Sequence, residues 1–304
     1  MEARGAIMNL HKTKIDWATH SWNPVTGCLH GCDYCYARRL VTRFQPHTCE
    51  RPMETGTQSS EGGATGITAE AGAPGCYTVS RPTKLADETG EYIRSTPYPK
   101  GFAPTLHAYT MDFPKKRIIP SRVFVSSMGD LFGEWVPDRW IENIFRACAE
   151  TPRHDYLFLT KNPQRYAALE KAGKLPDARN LWYGATAANA AQMEKAADAI
   201  GELPWKYNTF LSLEPLTEDI TASAGWTYAN EGAYAKWIIV GAMTGGSSRS
   251  QQPQREWIDK IVNAAHAKGV PVFMKSSLAT IWGEPLLHEH PKGMLWPEEE
   301  KSNG

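Results

Sequence analysis

Residues Ser21–Arg38 read SWNPVTGCLHGCDYCYAR and place three thiols, Cys28, Cys32 and Cys35, within eight residues. The spacing is C-x3-C-x2-C, with aromatic Tyr34 directly before the third thiol. Thiolates are the ligands iron–sulfur clusters require, and three on a tight loop can hold three irons of a four-iron cube. The fourth iron then stays open to a small molecule. Gly27 and Gly31 let such a loop wrap closely, and Tyr36 to Phe44 reads as a helix leading away. Zinc is the alternative, with His30 or His47 as fourth ligand. Zinc sites usually pair their ligands in two separated sets, and only Cys49 and Cys76 could supply the second.

Outward from this loop the chain changes character twice. From Met53 to Gly75 there are six Gly, six Ser/Thr and two large apolar residues, too few to offset ordering entropy. Residues 45–96 therefore read as a flexible insertion after the first helix. From residue 122 onward, short β-branched or aromatic runs alternate with amphipathic segments. The expected strands are Arg122–Ser126, Tyr156–Thr160, Leu181–Ala185, Thr209–Leu213, Trp237–Val240 and Val272–Met274, starting 34, 25, 28, 28 and 35 residues apart. Such spacing predicts βα units on a parallel sheet rather than hairpins.

Helix signals fill the gaps. Pro137 opens a helix whose apolar stripe is Trp140, Ile141, Ile144, Phe145 and Cys148, which makes Cys148 a core residue. Asn162-Pro163 caps the next, ended by Gly173; Gly201 closes the alanine-rich one from Ala188. Trp257, Ile258, Ile261, Val262 and Ala265 line the last. Between Pro215 and Ala235 the pattern predicts no helix.

The 304 residues carry 33 Lys+Arg and 33 Asp+Glu, a formal net charge of +0. That balance argues against a grip on nucleic acid through bulk positive charge, while leaving room for a local basic groove. Hydrophobic residues at 41% and charged ones at 22% suit a globular protein. No apolar run approaches membrane-spanning length, and the first residues lack a signal-peptide core, so the expected location is cytoplasmic. Cys49 and Cys76 read as surface thiols, with a second cluster, zinc, a redox pair or a thiol hydrogen donor as other uses. His288-Glu289-His290 reads as part of a solvated tail.

The cysteine motif, followed by a helix and βα units, resembles the radical S-adenosylmethionine (radical SAM) superfamily over roughly Ile15 to Lys275. Within it the chain is most similar to an uncharacterised phage- and prophage-associated family distantly similar to spore photoproduct lyase. That likeness rests on an ordered series: WNPVTGC (Trp22–Cys28), GFAPTLH (Gly101–His107), VFVSSMGDLF (Val123–Phe132), LTKNPQR (Leu159–Arg165), LSLEPL (Leu211–Leu216) and WIIVGAMTGG (Trp237–Gly246). The cysteine spacing is the ordinary superfamily one, whereas the wider family has a longer first gap.

The resemblance implies an α/β fold: a partial (β/α)6-type barrel of parallel strands with one extra C-terminal strand. The barrel domain is expected over 15–285, between an N-terminal extension (1–14) and a C-terminal tail (286–304). It implies a [4Fe–4S] cluster on Cys28, Cys32 and Cys35, and S-adenosylmethionine cleaved reductively to a 5′-deoxyadenosyl radical that abstracts hydrogen from substrate. Cofactor contacts are implied for Tyr34, Gly129, Asp130, Lys161, Thr186, Ser212, Gly241 and Thr244. Glu214 and Lys275 are the candidates for catalysis. A reductant such as flavodoxin or ferredoxin is implied, and the substrate class it suggests is a nucleotide or nucleic acid. Arg38, Arg39, Arg43, Lys115, Lys116 and Arg117 could rim a phosphate path or simply be solvated. The competing function is a non-catalytic zinc- or cluster-binding phage accessory protein.

Overall fold

The computed structural model describes residues 10–43, 51–52, 66–232, 234–245 and 251–295. It divides into two compact units. The first holds residues 1–12, 20–119 and 125–151, the second residues 13–19, 120–124 and 152–304.

The first unit begins with the antiparallel pair β1 (His11–Lys12) and β2 (His20–Trp22). β3 (Val25–Thr26) and α1 (Tyr36–Thr42) flank the cysteine loop. Then come β4 (Arg51–Pro52), β5 (Ile67–Ala69), β6 (Tyr77–Val79), β7 (Thr83–Ala86), β8 (Tyr92–Thr96) and β9 (Thr105–His107). These make two small sheets, ordered β3-β9-β6-β5 and β4-β7-β8. Strands thus occupy much of 66–96, where the sequence suggested a flexible insertion. α2 (Phe113–Lys116), the end of β10 (Arg122–Val125) and α3 (Asp138–Ala149) complete the unit. All five residues of the expected stripe, Cys148 included, are buried on α3.

The second unit alternates strand and helix as the spacing predicted. β11 (Asp155–Thr160), α4 (Gln164–Lys171), β12 (Leu181–Thr186), α5 (Ala190–Gly201) and β13 (Asn208–Leu213) lead to α6 (Ala224–Glu231). β14 (Ile238–Val240), α7 (Arg255–Ala267), β15 (Val272–Met274) and the short α8 (Ala279–Trp282) follow. α6 corrects the expectation of no helix after Pro215. Strand order in the main sheet is β1-β2-β10-β11-β12-β13-β14-β15. Seven of these strands are parallel, giving the partial α/β barrel sheet that was expected.

Period-two alternation separates the two faces of the second unit's strands. Leu211, Leu213, Ile238, Val240, Val272 and Met274 pack with α5, α6 and α7 residues such as Ala196, Trp226 and Ile261. Their neighbours Phe210, Ile239 and Phe273 join Trp17, Phe124, Leu157, Trp182 and Trp237 in an aromatic interior. Arg122, 2% exposed, ties that interior together: Nε donates to the Trp17 carbonyl (2.6 Å) and Nη1 to the Leu295 carbonyl (2.9 Å). Asp155 Oδ2 accepts from the Leu295 amide. Residues up to Leu295 therefore belong to the packed fold. No helix among the described residues is long and apolar enough to cross a membrane.

Local caps have measurable worth. Asn189 opens α5, its side chain accepting from the Gln192 amide at 2.9 Å. Asn189→Ala should lower stability by about 1 kcal/mol in urea denaturation. An unchanged midpoint would mean that the cap is redundant.

Candidate functional site

The cysteine loop runs from β3 to α1, and its geometry is imposed by two glycines in close contact. Thr26 pairs with Thr105 of β9, and Gly27 then turns with φ +85°. A side chain at Gly27 would overlap the Ala103 carbonyl. Gly27 donates to the Met128 carbonyl (2.9 Å) and bridges Gly129, where a β-carbon would lie 2.7 Å from the Gly27 oxygen. Gly129 thus packs against the loop itself. The Asn23 side-chain oxygen accepts from Ser127 Oγ and the Met128 amide, both at 3.0 Å. Tyr36 donates its hydroxyl to the Ser127 carbonyl (2.5 Å). Before these, Ser126 ends the strand at φ 60°, the one non-glycine at positive φ among the described residues. Such a costly backbone persists only where its surroundings fix it.

All three thiols are partly exposed on this loop. Cys28 is anchored by its amide on the Phe102 carbonyl (3.2 Å), and its sulfur accepts from the His30 amide (3.5 Å). Cys35 caps α1, its sulfur accepting from the Arg38 amide at 3.4 Å. Burial pushes the Cys28 thiol up to about 12, with Asp130, Cys32 and Cys35 adding to the rise and the His30 amide opposing it. Three cysteine sulfurs on one loop are a donor set that cationic iron would satisfy once they are deprotonated. The residues therefore fit the implied cluster by chemistry. Among the described residues, though, no three Cys, His, Asp or Glu side chains are gathered around one metal position.

Asp130 does not hang free beside the loop. It is 5% exposed; Oδ2 meets His30 Nε2 at 2.8 Å and Oδ1 accepts from the Phe132 amide at 3.0 Å. The Trp135 ring stands edge-on to the His30 ring, 4.9 Å between centroids. The Tyr34 carbonyl accepts from Arg39, and Arg38 reaches the Cys28 carbonyl while its guanidinium lies over Phe102. Arg38 and Arg39 are exposed, and their guanidinium groups also reach back to the loop. Lys115 and Lys116 pair with Glu150 and Asp112.

Cys76, expected at the surface, is fully buried, with its sulfur donating to the Trp135 carbonyl at 3.4 Å. The strand pairing of β6 with β9 carries it inside. Cys49 and His47 lie outside the described residues. His107, which ends β9 opposite Val79 of β6, is buried and bonds Thr26 Oγ1 through Nε2 at 2.9 Å. Burial pulls its imidazole down from 6.5 to about 3. The folded chain then binds no proton there in this window, whereas the unfolded chain does. This contribution to stability is complete above pH 6.5 and is lost as pH falls toward 3. The loss is about 2 kcal/mol between pH 6.5 and 5. Urea titrations of wild type and His107→Gln should diverge by that amount; parallel profiles would contradict a buried neutral imidazole.

In the second unit, the expected residues sit at the C-terminal ends of their own strands. Thr186 ends β12 and pairs in register with Ser212, 1% exposed, whose hydroxyl has no hydrogen-bond partner among the described residues. Glu214 and Lys275 form an ion pair. A β-carbon on Gly241 would lie 3.0 Å from Lys275 Cδ and 3.1 Å from Glu214 Cγ, so these three are brought together. Lys161 follows β11, and Thr244 is exposed beyond β14. A cleft lined by Lys236, Val270, Pro271 and Lys292 opens instead at the N-terminal ends of β14 and β15. His288-Glu289-His290 is no solvated tail: His288 bridges and stacks on Phe273, and Glu289 accepts from the Val272 amide and His266.

His30 was seen in the sequence only as a zinc ligand, and Asn23, Phe102 and Trp135 were not singled out. Asn23 and Phe102 lie within the quoted WNPVTGC and GFAPTLH stretches, which was their one signal.

Among solved structures, the chain is similar to spore photoproduct lyase complexed with dinucleoside spore photoproduct. The TM-score is 0.51 at 8% identity, covering 89% of this chain and 79% of that one. A double mutant of that enzyme with bound AdoMet and dinucleoside spore photoproduct gives 0.50 at 8% identity, with the same coverage. At such identity the likeness concerns the fold. No curated protein matches the chain in sequence. One family model matches across residues 12–65 and 55–289, and the chain belongs to that family, described as protein of unknown function (DUF5131).

Proposed function

We propose that this chain is a radical SAM enzyme in which Cys28, Cys32 and Cys35 hold a [4Fe–4S] cluster. The observation that carries the reading is the loop itself: three thiols in C-x3-C-x2-C spacing, locked by the Gly27–Gly129 contact. The fold shared with spore photoproduct lyase supports it. When bound, the cluster would pass one electron from a flavodoxin- or ferredoxin-type reductant to S-adenosylmethionine, releasing methionine and a 5′-deoxyadenosyl radical for hydrogen abstraction. The chain's own part is positional. Gly27 and Gly129 set where Cys28 emerges, and the capping bond to Cys35 fixes the start of α1.

Tyr34 and Gly129 in the first unit are proposed to serve the cofactor directly, and Asp130 to do so through its bond to His30. Lys161, Thr186, Ser212, Gly241 and Thr244 in the second are proposed for the same purpose. The unpartnered, buried Ser212 hydroxyl is the best supported, because a buried polar group without a partner is costly. Glu214 and Lys275 are proposed as the catalytic pair. For substrate we propose a nucleotide or nucleic acid, on the fold shared with an enzyme solved with a dinucleoside ligand.

Metal analysis after anaerobic purification or reconstitution tests the cluster. Iron and sulfide near four per chain are expected; zinc with no sulfide would leave a binding protein without radical chemistry. For the substrate class, retention on DNA or RNA columns should fall as salt rises. No retention at low salt would exclude a polymer.

A further inference from the structure

We propose that His30 and Asp130 are a positioning pair, holding the His30 amide on the Cys28 sulfur and so setting the reduction potential of the cluster. The inference rests on the cluster reading above. His30 is the central residue of the three between Cys28 and Cys32. Next to it Gly31 has φ +72°, and nothing lies within 4 Å of a β-carbon built there. Such a spacer has little packing of its own to fix it. What fixes it is the 2.8 Å bond from His30 Nε2 to Asp130, whose carboxylate is itself buried and tied to the Phe132 amide.

The carboxylate end is firm for a second reason. Asp130 directly follows Gly129, and Gly129 bridges Gly27, the residue before Cys28. The backbone therefore joins at one side of the loop and the side chains at the other. The edge of Trp135 confines the imidazole between them. With the ring pinned, the His30 amide is aimed at Cys28 Sγ, 3.5 Å away. Hydrogen bonds to cluster sulfurs withdraw thiolate charge and raise the potential. Both Asp130 oxygens are thereby engaged, so this carboxylate acts through His30.

The test is a double-mutant cycle on the reconstituted protein, read by the electron paramagnetic resonance of the reduced cluster in dithionite-poised titrations. His30→Ala should lower the reduced-to-oxidised ratio at a fixed solution potential about threefold to tenfold, the net worth of one hydrogen bond. In an Asp130→Ala background, which has no side-chain acceptor for the imidazole, it should change nothing further, because the tether is already lost. The cycle also cancels the charge lost at Asp130. His30→Gln, which keeps a side-chain N–H, should recover part of the ratio. Equal effects of His30→Ala in both backgrounds, or no effect in either, overturn the pairing. If His30→Ala takes up no iron, iron uptake becomes the readout and Asp130→Ala must lose it too. Full uptake by Asp130→Ala would then overturn the pairing. A wild-type chain that takes up no iron overturns the cluster reading instead.

Discussion

Cys32→Ala is expected to abolish reductive cleavage of S-adenosylmethionine and to leave a chain that binds iron poorly or not at all. The reason is ligand count. A four-iron cluster on three thiolates already has one open iron, and losing a second protein ligand leaves two thiols to hold it. Removing an outer partner of a metal ligand typically costs about 10–100-fold, so loss of the ligand itself should cost at least about 100-fold. The fold should survive, because Cys32 is partly exposed and is not among the residues of the described core clusters. Circular dichroism and the urea midpoint should therefore stay near wild type while iron content collapses. Full iron and full cleavage in this variant would remove Cys32 from the ligand set.

The second large effect is structural and sits one residue before the first thiol. Gly27→Ala places a β-carbon at φ +85° and drives it into the Ala103 carbonyl. The left-handed backbone costs about 1–2 kcal/mol for a residue with a β-carbon. Overpacking against fixed backbone adds about 1–3 kcal/mol. A total loss of about 2–5 kcal/mol is expected in denaturation, together with loss of iron, since Cys28 hangs on the neighbouring bond to Phe102. Gly31→Ala is the matched comparison: its φ is +72°, but a β-carbon there meets nothing. It should cost only the backbone share. Equal losses at the two positions would show that the Gly27–Ala103 contact is unimportant.

Much of this fold was legible because the second unit repeats one local rule. Runs such as TFLSL and WIIV are β-branched and apolar, and the intervals between them leave room for one helix each. Tertiary contacts supplied what local pattern could not. The sequence of α6, AGWTYANE, holds a glycine, a threonine and two aromatics and carries a weak helical signal. It is held by Ser223 capping the Trp226 amide and by the approach of Gly225 to the backbone of Glu194. Cys76 follows the glycine-rich stretch immediately, so composition averaged it into the surface. Its burial comes with the pairing of the next residue, Tyr77, to Thr105 of β9, 28 residues further on.

At the site, the thiols were readable because their spacing is local. His30 and Asp130 are 100 residues apart, and Arg122 meets Leu295 across 173. No periodicity encodes such meetings. Asp130 was found, since it closes a strand-end turn, but its partner was not. Glu214 and Lys275 were each picked for lying at a strand end; that they pair across Gly241 needed the fold.

The most direct measurement is 5′-deoxyadenosine formed by the anaerobically reconstituted chain with dithionite and S-adenosylmethionine, quantified beside Cys32→Ala. The radical reading predicts reductant-dependent 5′-deoxyadenosine and methionine in equal amounts from wild type and neither from the variant. An iron-loaded, reducible wild-type chain that forms no 5′-deoxyadenosine would contradict it.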